Sequence, residues 1–358
     1  EFGARAFIIS GSGSVSIERL IELLESSGIS SEVFRVDREP DVPLVLSGLA
    51  HAQSRHCDIV VGYGGGSVLD TSKAIAALMT NPGDLMDYLE VVGQGKQITH
   101  PSAPLIAVPT TAGTGTEVTR NAVIASPEHH VKVSMRSPLM IPAVAIVDPE
   151  LTYTMPPAVT ASTGMDALTQ VIEAYVSNRA NPITDVIASE GIKRGGRSLL
   201  AAYINGQNRQ AREDMMLTSL FGGLALANGG LGAVHGFAGP IGGMFDAPHG
   251  EICASLLPYV MKYNVQEINK SHKSPEIQSR YHQISQWLCD DLNATIMDGV
   301  HWVEDLAKKL AIPGLRSMGI RQDDFAEIIE KSKGSSSMKK NPIMLNESIM
   351  ESILTEAF

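Results

Sequence analysis

The sequence predicts an α/β N-terminal domain built on a parallel sheet, residues 1–155, followed by an all-helical C-terminal domain, residues 156–358. Three observations carry this reading. Strand-like and helix-like periodicities alternate through the first part of the chain; strand-like runs stop after Pro156; and glycine- or threonine-rich turns directly follow two of the strand-like runs. Parallel strands are buried on both faces, so they read as unbroken apolar, β-branched runs separated by helical patterns.

In chain order, the strands are expected at 6–10, 31–36, 58–63, 105–109 and 143–148, with helices at 16–27, 42–55 and 67–79. Short links of this kind imply right-handed crossovers, with ligands bound outside the carboxyl ends of the strands. Pro149, Pro156 and Pro157 mark the domain boundary. Helices then follow at 158–177, 182–203, 209–228, 250–263, 276–288, 298–310 and 323–333.

Bulk composition narrows the function. A chain of 358 residues with 44% apolar and 19% charged residues is an ordinary globular protein of two-domain size. Its net charge of −11 argues against a grip on nucleic acid, which needs a basic face. A membrane-spanning helix takes roughly 20 mostly apolar residues. Stretch 217–245 comes nearest, and Asn228 and His235 interrupt it. Cys57, Cys253 and Cys289 are odd in number and lack CxxC spacing, which suits reduced thiols better than a disulfide framework or a zinc–thiolate site. A cytoplasmic protein acting on a small molecule, with neither membrane nor nucleic acid as partner, is the expectation.

Two stretches carry a nucleotide signal. Asp58-Ile-Val-Val-Gly-Tyr-Gly64-Gly65-Gly66-Ser67-Val-Leu-Asp70 reads as buried strand, glycine turn and helix start. Glycines let the backbone approach a pyrophosphate, and free N–H groups with the helix dipole favour the anion there. Ser67 with Asp70 reads as an N-cap pattern. The second stretch, Pro109-Thr110-Thr111-Ala-Gly113-Thr114-Gly115-Thr116-Glu117, again follows an apolar strand and is rich in hydroxyls. Either alone is a capped turn as readily as a ligand site. Two such turns at strand ends favour one extended, phosphate-bearing cofactor.

The helical half holds a third group. Asp166 and Gln170 are four apart and share a helix face. His235 and His249 each stand beside glycine in small-residue surroundings. An acid, an amide and two histidines suit a divalent cation, and spacing alone equally allows satisfied core groups.

With these residues in view, the chain resembles the iron-dependent (group III) alcohol dehydrogenases. The resemblance runs through Gly64-Gly-Gly-Ser-Val-Leu-Asp70, Pro109-Thr-Thr-Ala-Gly-Thr-Gly115-Thr-Glu-Val-Thr119, Asp148-Pro-Glu-Leu-Thr152, Gly164-Met-Asp-Ala-Leu168, Glu173-Ala-Tyr-Val-Ser177 and Phe245-Asp-Ala-Pro-His-Gly250 with Leu256-Leu-Pro-Tyr-Val-Met261. It implies a dehydroquinate synthase-like fold, in which a dinucleotide-binding α/β domain precedes a helical domain. It also implies hydride transfer between NAD or NADP and an alcohol, aldehyde or ketone, in a homodimer, assisted by iron or zinc. By the same resemblance Asp166, His235 and His249 match catalytic metal ligands, and Gln170 stands where a further ligand, usually histidine, lies. Gly64, Gly65, Gly66, Ser67, Asp70, Thr110, Thr111, Thr114 and Lys132 match cofactor contacts.

Three departures stand out. Gln170 replaces an imidazole with a weaker, harder donor, and Gly239 replaces a second histidine near the nicotinamide, which opens space. The first strand runs into Gly11 and Ser12 with no acid to repel a 2′-phosphate, and Arg38 adds positive charge, so NADP is favoured. Two other readings remain: a metal-independent reductase of the same fold acting on an anionic or sugar-like substrate, as maleylacetate reductases do, and a non-catalytic nucleotide-binding relative.

Overall fold

The first strand shows how the α/β half is built. Alternate side chains of Arg5–Gly11 (β1) point to opposite faces, so Phe7 and Ile9 enter one apolar cluster while Ala6 and Ile8 enter another. A strand apolar on both faces needs a cover on each, and this one has it. A computed structural model describes residues 2–11, 13, 15–129, 131–245, 247–271 and 275–358.

The remaining strands are Ser30–Val36 (β2), Ile59–Gly64 (β3), Leu105–Pro109 (β4), Asn121–Ser126 (β5), Val131–Arg136 (β6) and Val144–Ala145 (β7). Helices Glu18–Ser26 (α1), Val42–Ser54 (α2), Gly66–Thr80 (α3) and Leu85–Tyr88 (α4) accompany them. The main sheet has the order β2-β1-β3-β4-β7, all parallel. Leu20, Ile21 and Leu24 of α1 pack on the face that holds Ile8 and Val61. Leu44 and Val45 of α2 and Ala74 to Leu78 of α3 join Phe7, Ile9 and Val60 on the other.

The order reverses direction at β1 and β3, since β2 lies to one side of β1 and β4 lies beyond β3. That reversal is where loops diverge and leave a crevice for a ligand. Register levels the carboxyl ends there: Gly11 pairs with Val36, Ser10 with Tyr63, and Gly64 with Pro109.

The second unit is helical: Pro157–Val176 (α5), Pro182–Ile204 (α6), Arg209–Gly229 (α7), Ala233–Met244 (α8), His249–Ser271 (α9), Pro275–Cys289 (α10), Ile296–Lys309 (α11), Phe325–Gly334 (α12) and Glu347–Ala357 (α13). By internal packing one unit comprises Glu1–Thr111 and Gly115–Thr154, and the other Ala112–Thr114 and Met155–Phe358. Helix α5 is buried without interruption from Gly164 to Val176, as befits a helix with neighbours α6, α7 and α9 around it.

Some elements depart from expectation. Strand β7 keeps only two residues of the expected 143–148, because Asp148 already caps the short turn Pro149–Thr152 by accepting from Glu150 N–H. The antiparallel hairpin β5–β6 was not expected; Ala122 and Ile124 are buried while Val123 is exposed, a pattern too short to stand out. Helix α8 is missing from the periodicity because Gly236, Gly239, Gly242, Gly243 and Pro240 are poor helix formers. Burial of Val234, Phe237, Ala238 and Ile241 overrides that preference. No single helix among the described residues is long and apolar enough to cross a membrane.

Candidate functional site

The nucleotide signal falls on the carboxyl edge of the sheet. Helix α3 starts at the end of β3 with Gly65 as its N-cap, in extended conformation and without a side-chain cap. This corrects the expectation that Ser67 with Asp70 caps the helix. The first turn therefore keeps its backbone N–H groups for another acceptor. Glycine is required by packing here: a Cβ on Gly64 would stand 2.5 Å from Val68, and one on Gly65 3.2 Å from the Thr111 side chain. Thr110 N–H donates to Gly64 O at 3.0 Å, which sets the threonine turn beside the glycine turn. Gly11 ends β1, and its carbonyl accepts from Arg35 at 3.0 Å. Ser12 lies outside the described residues.

Ser67 and Lys132 are drawn to one acid. Glu39 accepts from Ser67 Oγ at 3.2 Å and pairs with Lys132 Nζ at 3.5 Å. Asp70 faces a different way: it accepts from Thr116 Oγ1 at 2.5 Å and Val123 N–H at 2.9 Å, and pairs with Lys73 at 3.1 Å. The Lys73 ammonium is buried and donates to Thr116 O, Thr119 Oγ1, Thr116 Oγ1 and Asn121 O. Burial lowers its pKa, and Asp70 works against that. Glu117 is buried nearby, and desolvation raises its carboxyl.

In the helical unit, Asp166, His235, His249 and Cys253 bring one ligand atom each to within 4.8 Å of one another. Helix α5 supplies Asp166, α8 supplies His235 from its first turn, and α9 supplies His249 and, one turn on, Cys253. His235 Nε2 lies 3.2 Å from Asp166 Oδ1, and His249 Nε2 lies 4.0 Å from the same oxygen. Cys253 Sγ stands 3.6 Å from His249 Nε2 and 3.8 Å from His235 Nε2. Glu173, two turns along α5 from Asp166, takes the other side of His235: Oε2 is 2.7 Å from Nδ1, while Oε1 accepts Val234 N–H at 2.6 Å. A carboxylate behind an imidazole fixes the ring and leaves Nε2 as the inward lone pair.

Electrostatics point the same way. Burial alone would raise the Asp166 carboxyl, but the His235 hydrogen bond and the charge of His249 hold it below the usual range. Burial opposes charge on His235, yet Cys253, Asp166 and Glu173 push it well above its ordinary value. Cys253 acts most strongly on His249, which is pushed up to about 9. The cluster attracts positive charge.

Gln170 is buried on the same face of α5. Its Nε2 donates to Gly113 O at 3.3 Å, and its Oε1 has no hydrogen-bond partner among the described residues. Thr114 belongs to the same helical unit as Gln170. Glu173 and Cys253 were not picked out from sequence. Glu173 follows Asp166 at i+7 and Cys253 follows His249 at i+4, so helical spacing was the signal in each case. Cys253 is a free thiol, as expected of the three cysteines, and it stands among the donor atoms of this cluster.

The four donors suit a divalent metal: two imidazoles, a carboxylate and a thiol, with a carboxylate behind one imidazole. An uncapped helix at the reversal point of a doubly wound sheet suits a nucleotide, and the donor set of the helical unit suits a divalent metal. Comparison with known proteins gives the family. Residues 1–149 match the model of iron-containing alcohol dehydrogenases, and residues 160–358 match that of the C-terminal part of the Fe-containing alcohol dehydrogenase family. The chain is 36% identical to alcohol dehydrogenase 4 of Saccharomyces cerevisiae strain YJM789, over 99% of its own length and 91% of the relative's. A crystal structure of 1,3-propanediol oxidoreductase superposes with a TM-score of 0.92 at 34% identity, covering 99% of this chain and 92% of that one. Sulfoacetaldehyde reductase from Bifidobacterium kashiwanohense, solved in complex with NAD+, superposes with a TM-score of 0.85 at 29% identity, covering 99% and 90%. The chain belongs to the iron-containing alcohol dehydrogenase family. It is an oxidoreductase with alcohol dehydrogenase activity, of a family that uses NAD(H) and a divalent metal.

Proposed function

We propose that this enzyme interconverts a small primary alcohol or diol and its aldehyde with NAD(H), using a divalent metal held by Asp166, His235 and His249. The carrying observation is the convergence of those three side chains, with Glu173 behind His235. The relatives named for propanediol and for sulfoacetaldehyde support a small, polar substrate. When bound, the metal supplies Lewis-acid polarisation of the substrate oxygen. Asp166 contributes a buried negative charge to the site, and Glu173 sets the tautomer of His235. Gly64, Gly65, Gly66, Ser67, Thr110 and Thr111 form the dinucleotide turn at the sheet edge, with Gly11, Thr114 and Lys132 as further cofactor contacts. The Asp70 carboxylate serves the fold, because the hairpin occupies it.

NAD is preferred over NADP in this reading. The acid that reads the ribose lies at the end of the second strand of such a sheet, some 20 residues after the first turn. Asp37 directly follows β2, level with Gly11, and its side chain is 69% exposed. Arg38, the cation expected to favour a 2′-phosphate, is tied to Asp41 at 3.0 Å and to Asp37 at 3.5 Å.

His249→Ala tests the function. Turnover of an aldehyde panel, followed by nicotinamide absorbance, should fall by at least about a thousandfold, since removal of a central catalytic group costs of that order. NADH binding by fluorescence should stay within about twofold of the parent. Retained turnover would exclude the metal from the reaction and favour a metal-independent reductase.

A further inference from the structure

We propose that Cys253 is a thiolate ligand of the metal, taking the coordination place left open where Gln170 replaces an imidazole. This rests on the metal reading above and extends it to the donor set. Four lines carry it.

The first is spacing. A tetrahedral ion with bonds of ~2.0–2.3 Å holds its ligand atoms about 3.3–3.8 Å apart. Cys253 Sγ lies 3.6 and 3.8 Å from the two Nε2 atoms, and His235 Nε2 lies 3.2 Å from Asp166 Oδ1. The sulfur is thus placed as the ligand atoms are placed relative to each other.

The second is donor accounting. One thiol has one proton, and it cannot satisfy two imidazole nitrogens at once. Glu173 already takes the Nδ1 side of His235. Lone pairs from three elements therefore converge where a cation would balance them.

The third is Gln170. Its Nε2 points to the Gly113 carbonyl, which fixes the orientation of the amide. Its Oε1 is turned towards Gly222 of α7, where an added Cβ would stand only 2.7 Å away. The amide is thus held by the Gly113 carbonyl, with its oxygen against α7.

The fourth is position. Cys253 is wholly buried on α9 one turn beyond His249, so both side chains leave one helix face. Cys57 lies in the other unit, and Cys289 ends α10.

Coordination forms a metal–sulfur bond and releases the Sγ–H proton to solvent, with no change in oxidation state. An N2OS donor set is softer than an all-imidazole and carboxylate set, so it favours zinc or cobalt(II) over iron(II).

Cobalt(II) titration of the metal-free full-length protein reads the ligand directly. In a Cys57→Ser, Cys289→Ser background, one equivalent should develop visible d–d bands together with a near-ultraviolet sulfur-to-cobalt charge-transfer band. Adding Cys253→Ser should remove the charge-transfer band, keep d–d absorption, and weaken cobalt affinity by at least ~10–100-fold, the scale set by losing even an outer partner. Adding Gln170→Ala should keep the charge-transfer band. Stoichiometric cobalt with d–d bands but no charge-transfer band in the background protein overturns the thiolate ligand and leaves the three-residue site standing. No stoichiometric cobalt uptake overturns both.

Discussion

The molecule buries two clusters of charge, and they are built on opposite plans. In the α/β unit, Lys73 brings its own cation to Asp70, Thr116, Thr119 and the Asn121 carbonyl. In the helical unit, Asp166, His235, His249 and Cys253 bring lone pairs and acidic groups together with, among the described residues, no side-chain cation other than what protonation of the histidines supplies. The first is electrically closed and ties the hairpin β5–β6 to α3. The second becomes complete when a cation enters. Burial of charge alone does not separate structural from functional clusters; the presence or lack of an internal partner does.

That contrast predicts a double dissociation. Lys73→Met leaves Asp70 buried without its cation, and breaking a buried pair in this way costs about 3–5 kcal/mol. Urea unfolding of the α/β unit should shift by that amount, while cobalt uptake by the helical unit keeps its affinity. Adding Asp70→Asn should recover part of the loss, because the orphaned charge goes with it. A shift below ~1 kcal/mol would mean that the lysine does not close the first cluster.

The converse change is Glu173→Gln. An amide still accepts Val234 N–H through its oxygen, but it presents N–H to His235 Nδ1. That reverses the tautomer and turns Nε2–H into the cluster. Metal affinity should fall ~10–100-fold, as for other outer partners of ligating histidines, with stability changed by about 1 kcal/mol or less. Metal affinity equal to that of the parent would show that Glu173 holds α8 and nothing more.

How much of this was readable from sequence follows from the same physics. The parallel strands and long helices were legible because burial on both faces, or all round, leaves an unmistakable periodicity. Asp166, His235 and His249 were picked out as polar groups in small-residue surroundings. Helix α8 was not, since its glycines and Pro240 oppose helix formation and only packing of Phe237 and Ile241 enforces it. Cys253 was passed over because cysteine spacing was compared only with cysteine; its partner in spacing is His249. An acid was looked for only after β1; strand order, which the sequence does not reveal, sets the end of β2, and with it Asp37, beside that position.

Asp37 provides a smaller test, confined to the α/β unit. Its carboxylate would face a 2′-phosphate with like charge, but at 69% exposure solvent screens much of the repulsion. Asp37→Ser should raise the NADP-to-NAD ratio of kcat/KM by about tenfold, equivalent to ~1.4 kcal/mol. Stability and metal binding should not move. A parent enzyme that already favours NADP would sink the assignment of Asp37 to the ribose.

The smallest expected effect concerns the stretch of α8 beside His235. Two glycines on α8 flank this question. Added to Gly236, a Cβ would meet the Met338 backbone and side chain at 2.9 to 3.0 Å; added to Gly239, it meets nothing within 4 Å among the described residues. There is room for a side chain at Gly239, one turn beyond His235, and none at Gly236. Neither glycine has positive φ, so alanine carries no backbone strain at either. Gly239→Ala should stabilise the helical unit by about 0.5–1 kcal/mol through helix propensity. Gly236→Ala should lose more than propensity returns, because Met338 must move. If thermal unfolding showed the two variants equally destabilised, the face beside His235 would be packed, and a substrate would have to reach the cluster from another side.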